Sequence, residues 1–99
     1  MDIAYSMDGV PIRLTAERWL HIVESHDDVA GYYDEVLITV ESPDLLLPGH
    51  RGSLMAVRSF GHRRYLVVVY RQLSTDDGFI VTAFFTDSVD RKKAIWQSQ

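Results

Sequence analysis

The spacing of hydrophobic residues changes from helical to strand-like near Pro43, and that change constrains the fold more than any other feature of the sequence. Between Thr15 and Pro43, apolar residues recur every three or four positions, which is typical of amphipathic helices. Beyond Pro43, short apolar runs are separated by turn-forming residues, which is typical of antiparallel strands. The sequence therefore predicts an α+β domain in which two helices precede a sheet.

The helical region predicts a helical hairpin. Its first helix is expected at Ala16–Ser25, after Thr15, whose side-chain oxygen can cap the first turn. Asp27-Asp28 interrupts the pattern and is expected to cap a second helix that continues to Val40. Pro43 ends it, because the residue before a proline is disfavoured in helical geometry. The two helices are short and tightly connected, so they should pack as antiparallel neighbours.

The rest of the chain predicts strands joined by short turns. Asp8-Gly9 is a hairpin signal near the N-terminus, and Gly61-His62 marks a later turn. The expected strands are Ile3–Tyr5, Val10–Leu14, Asp44–Leu47, Ser53–Phe60, Arg64–Arg71 and Phe79–Thr86, and Ser88–Trp96 is expected to form a short C-terminal helix. We therefore predict an N-terminal β-hairpin and a helical hairpin packed on a four-stranded antiparallel sheet, in a single domain of 99 residues.

Composition and motifs exclude several classes of protein. Hydrophobic residues make up 46% of the chain, which excludes intrinsic disorder, and no apolar run is long enough to span a membrane. There is no cysteine, so disulfides and thiolate metal ligands are excluded. His21 and His26 lie about 140° apart around a helix and cannot bind one metal from one face. No metal and no cofactor are expected, and the lack of a secretory leader and of cysteines fits the cytoplasm.

Charge is divided unequally between the two halves of the chain. Residues 1–50 carry ten acidic and two basic residues, a net charge of −8, whereas residues 51–99 carry a net charge of +4. Between Arg51 and Arg71 there are five arginines and no acidic residue. A guanidinium group matches the geometry of phosphate, so this basic half is a candidate surface for RNA. The alternative is that these arginines are solvated residues of strands and turns.

Alternation along the predicted strands sorts residues onto two faces of the sheet. The face beneath the helices is expected to carry Met55, Val57, Phe79, Val81, Ala83 and Phe85. The other, open face is then expected to bring together Arg58, Tyr70, Thr82 and Thr86. Arg58 interrupts an otherwise apolar strand, and a partly covered guanidinium there would need an anionic partner. The alternative is structural: Tyr70 packs in the sheet, and the threonines occur there because they favour strands.

His26 is expected at the end of the first helix, on the edge of its apolar stripe. A helix C-terminus stabilises a protonated imidazole, which is a structural role. Histidine is also the commonest proton-transfer group near neutral pH, which is a catalytic role. The residues alone leave both roles open.

Three stretches of the sequence together resemble a group of nucleases. They are residues 12–22 with His26 and Pro43-Asp44, residues 65–71, and residues 79–87. On these stretches the chain resembles a phage-associated branch of the barnase–EndoU–colicin–RelE-like nuclease superfamily, over about Val10 to Trp96. The resemblance implies a RelE-like fold, in which a helical hairpin is followed by a four-stranded antiparallel sheet.

The resemblance also implies an activity and its residues. Members of the superfamily include metal-independent ribonucleases, many of them toxins, in which a ribose 2′-hydroxyl attacks the adjacent phosphate. That reaction needs a base, an acid and a cation for the charge of the transition state. The resemblance implies His26 for proton transfer and Arg58 for the phosphate, with help from Tyr70 or Arg71. Thr86 would hydrogen-bond the phosphate or orient the base.

The partners expected from these features are RNA and a second protein. Substrate RNA is expected to bind Arg51, Arg64, Arg71 and Thr82, and an antitoxin or immunity protein is an expected partner of a toxin-like ribonuclease. The alternative hypothesis is a catalytically inactive binding module of the same fold, which forms a homodimer through Leu66, Val68, Ile80 and Phe84 on the open face. A third hypothesis is a domain once attached to phage head or toxin-delivery proteins and now encoded alone.

Overall fold

The computed structural model describes residues 1–98, which form two α-helices and seven β-strands. The helices are α1 (Ala16–Ser25) and α2 (Tyr33–Glu41). The strands are β1 (Asp2–Tyr5), β2 (Pro11–Leu14), β3 (Leu45–Pro48), β4 (Leu54–Ser59), β5 (Tyr65–Ser74), β6 (Asp77–Thr86) and β7 (Trp96–Gln97). Short 3-10 turns occupy Asp27–Val29, His50–Gly52 and Arg91–Lys93. No helix within residues 1–98 is long and apolar enough to cross a membrane.

Helix α1 has the span predicted from the sequence, because its first turn is capped locally. The Thr15 hydroxyl accepts a hydrogen bond from the backbone N–H of Arg18 at 3.1 Å. Helix α2 begins later than predicted, at Tyr33. Asp27-Asp28 does not cap it and instead enters a 3-10 turn that buries Val29 completely. The connection between the helices is therefore longer than expected.

The sheet is larger than predicted, and its strand pairing is mixed. Its seven strands run in the order β1-β2-β6-β5-β4-β3-β7. Consecutive strands from β3 to β6 pair antiparallel, as expected. The N-terminal hairpin does not stand apart, because β2 pairs in parallel with β6 and so extends the same sheet. The α+β class is confirmed, whereas the structure has a seven-stranded mixed sheet in place of a four-stranded antiparallel one.

The parallel pairing of β2 with β6 depends on Gly78. This residue lies opposite Ile12 on one side and Gln72 on the other. A Cβ atom at position 78 would lie 2.6 Å from the Arg71 carbonyl oxygen and 2.6 Å from Ile12 Cδ1. Those distances are far below van der Waals contact, so a glycine lets the three strands approach one another here.

We expect Gly78→Ala to lower the free energy of unfolding by about 1–3 kcal/mol, because the added methyl group overpacks the contact between β2 and β6. The matched control is Gly31→Ala, since a Cβ atom there meets no other atom within 4 Å. Urea denaturation followed by circular dichroism measures both variants. Equal stability of the two would show that β2 does not depend on a glycine at position 78.

The helices cover the face of the sheet that carries the buried residues Ala56, Leu66, Val68, Tyr70, Ile80 and Ala83. The prediction that Met55, Val57 and Phe79 lie on this face is wrong. Register places them on the opposite face, where Val57 packs with Val67 in a second apolar cluster. A register shift between β5 and β6 also interrupts the alternation of β6, so a simple count of odd and even positions fails there.

The predicted dimer patch is wrong for the same reason. Leu66, Val68 and Ile80 are 0% exposed beneath the helices. Phe84 lies on the other face, against the second apolar cluster. No single surface therefore presents these four residues to a partner.

The C-terminal segment is not a helix, in contrast to the prediction for Ser88–Trp96. It forms one 3-10 turn and then β7, and the Ile95 N–H donates to the Leu46 carbonyl at 2.8 Å. Val89 and Ala94 pack against the second apolar cluster. The segment is extended because β3 offers it backbone hydrogen bonds along a free edge and the cluster offers it apolar contacts.

Candidate functional site

The predicted catalytic residues do not share one open face. Register places Arg58 and Tyr70 on the helix-covered side of the sheet, and Thr82 and Thr86 on the opposite side. Directly paired residues of antiparallel strands lie on the same side of a sheet. A register shift between the Val69–Thr82 and Tyr70–Ile80 pairs breaks the alternation of β6, so Thr82 and Thr86 lie on the face opposite Tyr70. The prediction that the four residues meet on one face is therefore wrong.

Tyr70 is a core residue in this structure. It is only 1% exposed, and it packs in the main apolar cluster beneath the helices. Burial, with a smaller contribution from the charge of Asp8, raises the pKa of its phenol to about 12. Such a phenol keeps its proton near neutral pH and offers almost no surface to a substrate, so its position supports a packing role.

Stability at high pH should reflect the titration of two tyrosines. Burial raises the pKa of Tyr33 to about 12 as well, helped by the hydrogen bond that its hydroxyl donates to Asp2. An unfolded tyrosine loses its proton near pH 10, and the folded chain holds it to about pH 12. The free energy of unfolding should therefore fall as the pH rises from 10 to 12, and the titration of Tyr70 should account for about 2 kcal/mol of that fall. Urea denaturation at increasing pH measures this loss, which should be smaller in Tyr70→Phe; an equal loss would contradict the assignment to Tyr70.

Four of the eight predicted site residues meet at one end of the sheet, where β4 ends, β5 begins and β6 ends. We call this region the sheet end. Arg58 and Arg64 lie there on the helix-covered side, and Thr86 lies on the opposite side. His26 lies beside β6, with its ring centroid 5.7 Å from that of Phe84. The sheet end therefore carries a histidine, two arginines and a threonine hydroxyl, which are distributed over both sides of the sheet.

Three aromatic rings cluster at the sheet end. The rings of Tyr32, Phe60 and Phe85, here called the aromatic triad, have centroids 5.0 to 5.9 Å apart, and each pair is edge to face. The Arg64 guanidinium lies over all three rings and is closest to Phe85, with Cζ 4.1 Å from the centroid. Its Nη2 also donates a hydrogen bond to the Tyr32 hydroxyl at 3.2 Å. The triad therefore binds a cation through its ring faces.

The turn between β4 and β5 carries further basic side chains. Gly61, His62 and Arg63 have left-handed backbone, with φ of 81°, 44° and 58°. This conformation is strained for His62 and Arg63, because each has a Cβ atom. Both side chains are exposed, and with Arg58 and Arg64 they form a surface that we call the basic hairpin.

Carboxylates do not neutralise the arginines of the basic hairpin. Within residues 1–98 the one salt bridge joins Arg13 to Asp77, at the other end of β6. An arginine without a carboxylate partner keeps its donors free for phosphate oxygens. The basic hairpin is therefore a candidate anion-binding surface.

His26 ends helix α1, and contacts on two sides hold it in place. Its backbone N–H donates to the Ile22 carbonyl at 2.8 Å, and its half-buried ring packs on Phe84. The exposed carboxylates of Asp27 and Asp28 follow directly. The imidazole thus lies partly exposed at the surface, tilted 40° against the Phe84 ring.

Thr86 lines a cleft on the side of the sheet opposite the helices. The cleft has a volume of about 280 Å³, and the apolar residues that line it include Leu47, Met55, Val67 and Phe84. The Thr86 hydroxyl donates to the Ser88 carbonyl at 3.3 Å, and Lys93 lines the same cleft. Asp90 also lines it and opposes an anion there. The cleft therefore brings a hydroxyl and a cation together next to the end of β6.

The other predicted substrate-binding residues lie elsewhere. Arg51 belongs to the 3-10 turn before β4, at the opposite end of that strand from Arg58. Arg71 pairs with Phe79, toward the distal end of β5 and β6. Thr82 lines a groove beside α1 near the middle of β6. The structure does not bring these residues to the sheet end.

Sequence reasoning did not identify the aromatic triad. Phe60 and Arg64 flank a short turn, so their contact across the hairpin is a signal that could have been found. Tyr32 lies in the connection between the helices and meets Phe85 from 53 positions away in the chain. No local pattern predicts a contact of that kind.

Neither a metal-binding cluster nor a similar known protein indicates what this site does. Within residues 1–98 no group of three histidine, aspartate or glutamate side chains is arranged to hold a metal ion. The functional assignment therefore depends on the geometry of the sheet end. Comparison of the chain with protein-family models, with curated proteins and with solved structures finds no match.

Proposed function

We propose that the protein is a metal-independent ribonuclease of the RelE/colicin type that binds RNA at the sheet end. The observation that supports this proposal is the arrangement around the last three residues of β6. The His26 ring packs on Phe84, the Arg64 guanidinium packs on Phe85, and Thr86 follows. A histidine, a cation and a hydroxyl thus lie around one short stretch of strand, and they are the kinds of group that the cleavage of a phosphodiester uses.

The proposed reaction is attack of a ribose 2′-oxygen on the adjacent phosphorus. His26 takes the proton of the 2′-hydroxyl as the 2′-oxygen bonds to phosphorus, and the bond from phosphorus to the 5′-oxygen of the next nucleotide breaks. That 5′-oxygen takes a proton from water. The products are a 2′,3′-cyclic phosphate and a 5′-hydroxyl end. The guanidinium groups of Arg58 and Arg64 stabilise the negative charge that develops on the phosphate oxygens.

The charge distribution directs how RNA approaches. Residues 1–50 have a net charge of −8 and repel it, so RNA approaches from the half with a net charge of +4. Each phosphate of a single strand that a protein neutralises contributes about −0.7 to the slope of log K against log salt concentration. Contacts with Arg58, Arg63 and Arg64 therefore predict a slope of about −2.

The test is incubation of the purified protein with total RNA and with transfer RNA, with and without a chelator. We expect cleavage that the chelator does not reduce, and fragments that end in a 2′,3′-cyclic phosphate. The variant His26→Ala/Arg58→Ala should be inactive. The control His21→Ala/Arg51→Ala changes the same residue types away from the sheet end and should retain activity. If the wild type and His26→Ala/Arg58→Ala leave identical RNA, the protein is not a ribonuclease.

A second candidate function is RNA binding without cleavage. It is favoured by the position of Arg58 and Thr86 on opposite sides of the sheet and by the burial of Tyr70, which keep these three groups from one phosphate. A catalytically inactive module would bind RNA in a salt-dependent way and leave it intact. An acidic antitoxin or immunity protein would compete with RNA for the basic hairpin under either function.

A further inference from the structure

The Arg64 guanidinium occupies the aromatic triad without a carboxylate partner among residues 1–98. Arg64 is exposed, and the hydrogen bond from its guanidinium to the Tyr32 hydroxyl is 3.2 Å long. By contrast, Asp77 binds the guanidinium of Arg13 through two hydrogen bonds, of 2.9 and 3.2 Å. Arg64 can therefore leave the triad without breaking an ion pair, whereas Arg13 cannot leave Asp77 in that way.

The triad has the shape of a stacking site for a planar group. The guanidinium of Arg64 is planar, and its Cζ lies 4.1 Å from the centroid of the Phe85 ring. Tyr32 and Phe60 stand at 77° and 87° to that ring, so neither of them stacks parallel on it. A nucleobase is also planar and stacks on aromatic rings. The space that the guanidinium occupies over Phe85 therefore suits a base once Arg64 moves out.

We propose that the aromatic triad is a nucleobase-binding site that Arg64 closes in the free protein. When RNA binds, an unpaired base stacks on Phe85, and Arg64 turns outward to a phosphate of the same strand. This inference rests on the proposed function, since it takes RNA as the ligand of the sheet end. The Arg64 guanidinium therefore has a partner in both states: it contacts the ring faces in the free protein and the phosphate oxygens when RNA is bound.

Such a site selects single-stranded RNA. A base within a duplex is paired and is stacked on its neighbours, so its face cannot reach Phe85 unless it is pulled out of the helix. Every base has a face that can stack, so the triad tolerates different sequences. Cleavage at the sheet end is then confined to unpaired segments of RNA.

Fluorescence anisotropy with labelled oligonucleotides tests this inference. The probe is a strand of twelve 2′-O-methyl adenosines, which cannot be cleaved because each 2′-oxygen is methylated. The comparison ligands are the same strand in a duplex and an abasic strand of equal length. At one salt concentration, we expect the wild type to bind the single strand about 10-fold more tightly than either comparison ligand.

Variants at the triad should separate stacking from charge. Phe85→Leu should weaken binding of the single strand by about 10-fold and leave binding of the abasic strand unchanged. The matched control is Phe79→Leu, on the same strand, whose ring lies near Arg13. Tyr32→Phe keeps the ring, removes the hydroxyl that binds Arg64, and should bind the single strand at least as tightly as the wild type. Where Phe85→Leu does not fold, Phe60→Leu replaces it with the same expected results.

The outcomes distinguish this inference from the function on which it rests. Equal binding of all three oligonucleotides, or an equal loss in Phe85→Leu and Phe79→Leu, would overturn the base-binding site and leave RNA binding in place. A loss in Tyr32→Phe as large as that in Phe85→Leu would overturn the role of Arg64 as the closing group. If the wild type binds none of the three oligonucleotides, the proposed function itself is wrong.

Discussion

Replacing His26 with glutamine should lower the rate of RNA cleavage by about 10²- to 10⁴-fold, which is the usual contribution of general acid–base catalysis. Glutamine can pack on Phe84 but cannot accept the proton of the 2′-hydroxyl. Binding should not change, because the arginines of the basic hairpin bind the phosphates. Initial rates with excess single-stranded RNA measure the loss, and anisotropy with the 2′-O-methyl strand measures the binding.

His21→Gln is the control for this experiment, because it makes the same change on the same helix. His21 is exposed and lines a groove beside the middle of β6, away from the sheet end. Its replacement should leave the cleavage rate unchanged. A wild-type rate for His26→Gln would show that the His26 ring only packs on Phe84, and would leave RNA binding without cleavage as the better account of the site.

Features that depend on neighbouring residues could be predicted from the sequence. Thr15 caps α1 through the N–H of Arg18, three positions away, and the helix has the bounds that this cap implies. Asp8-Gly9 lies in the turn of the β1–β2 hairpin, as its composition predicts. In both cases the interacting groups lie within one turn of chain, so the local pattern contains the information.

Features that depend on distant residues could not be predicted in this way. The parallel pairing of β2 with β6 brings Ile12 opposite Gly78, and only the whole fold shows that these positions meet. The segment Ser88–Trp96 has a helix-compatible pattern, but backbone hydrogen bonds to Leu46 and its neighbours hold it extended. Tertiary pairing thus overrides a weak local preference.

The arrangement of the candidate site could not be predicted from the sequence, and its residue types stay a prediction. His26, Arg58, Arg64 and Thr86 lie at the sheet end, as part of the predicted set. Alternation shows which residues of one strand share a face, but both faces of β5 are apolar, so it does not show which face the helices cover. Arg58 and Thr86 lie on opposite sides because of the strand register. That register depends on a bulge between β5 and β6, which no residue pattern in the sequence predicts.

Tyr70→Ala should lower the free energy of unfolding by about 3–5 kcal/mol, which is the range for removal of a buried aromatic ring. Tyr70 is the largest of the fully buried side chains, and it packs in the cluster that joins the helices to the sheet. The total stability of a domain is about 5–15 kcal/mol, so this one change removes a large part of it. Urea denaturation of the wild type and the variant measures the loss.

Tyr70→Phe separates packing from chemistry at the same position. It keeps the ring, so we expect the free energy of unfolding to change by less than about 1.5 kcal/mol, as for other volume-conserving changes. RNA cleavage should continue at the wild-type rate, because a side chain that is 1% exposed does not touch a substrate. If Tyr70→Phe folded normally and lost cleavage, the phenol would have to reach the substrate beneath the helices, and the active site would lie there rather than at the sheet end.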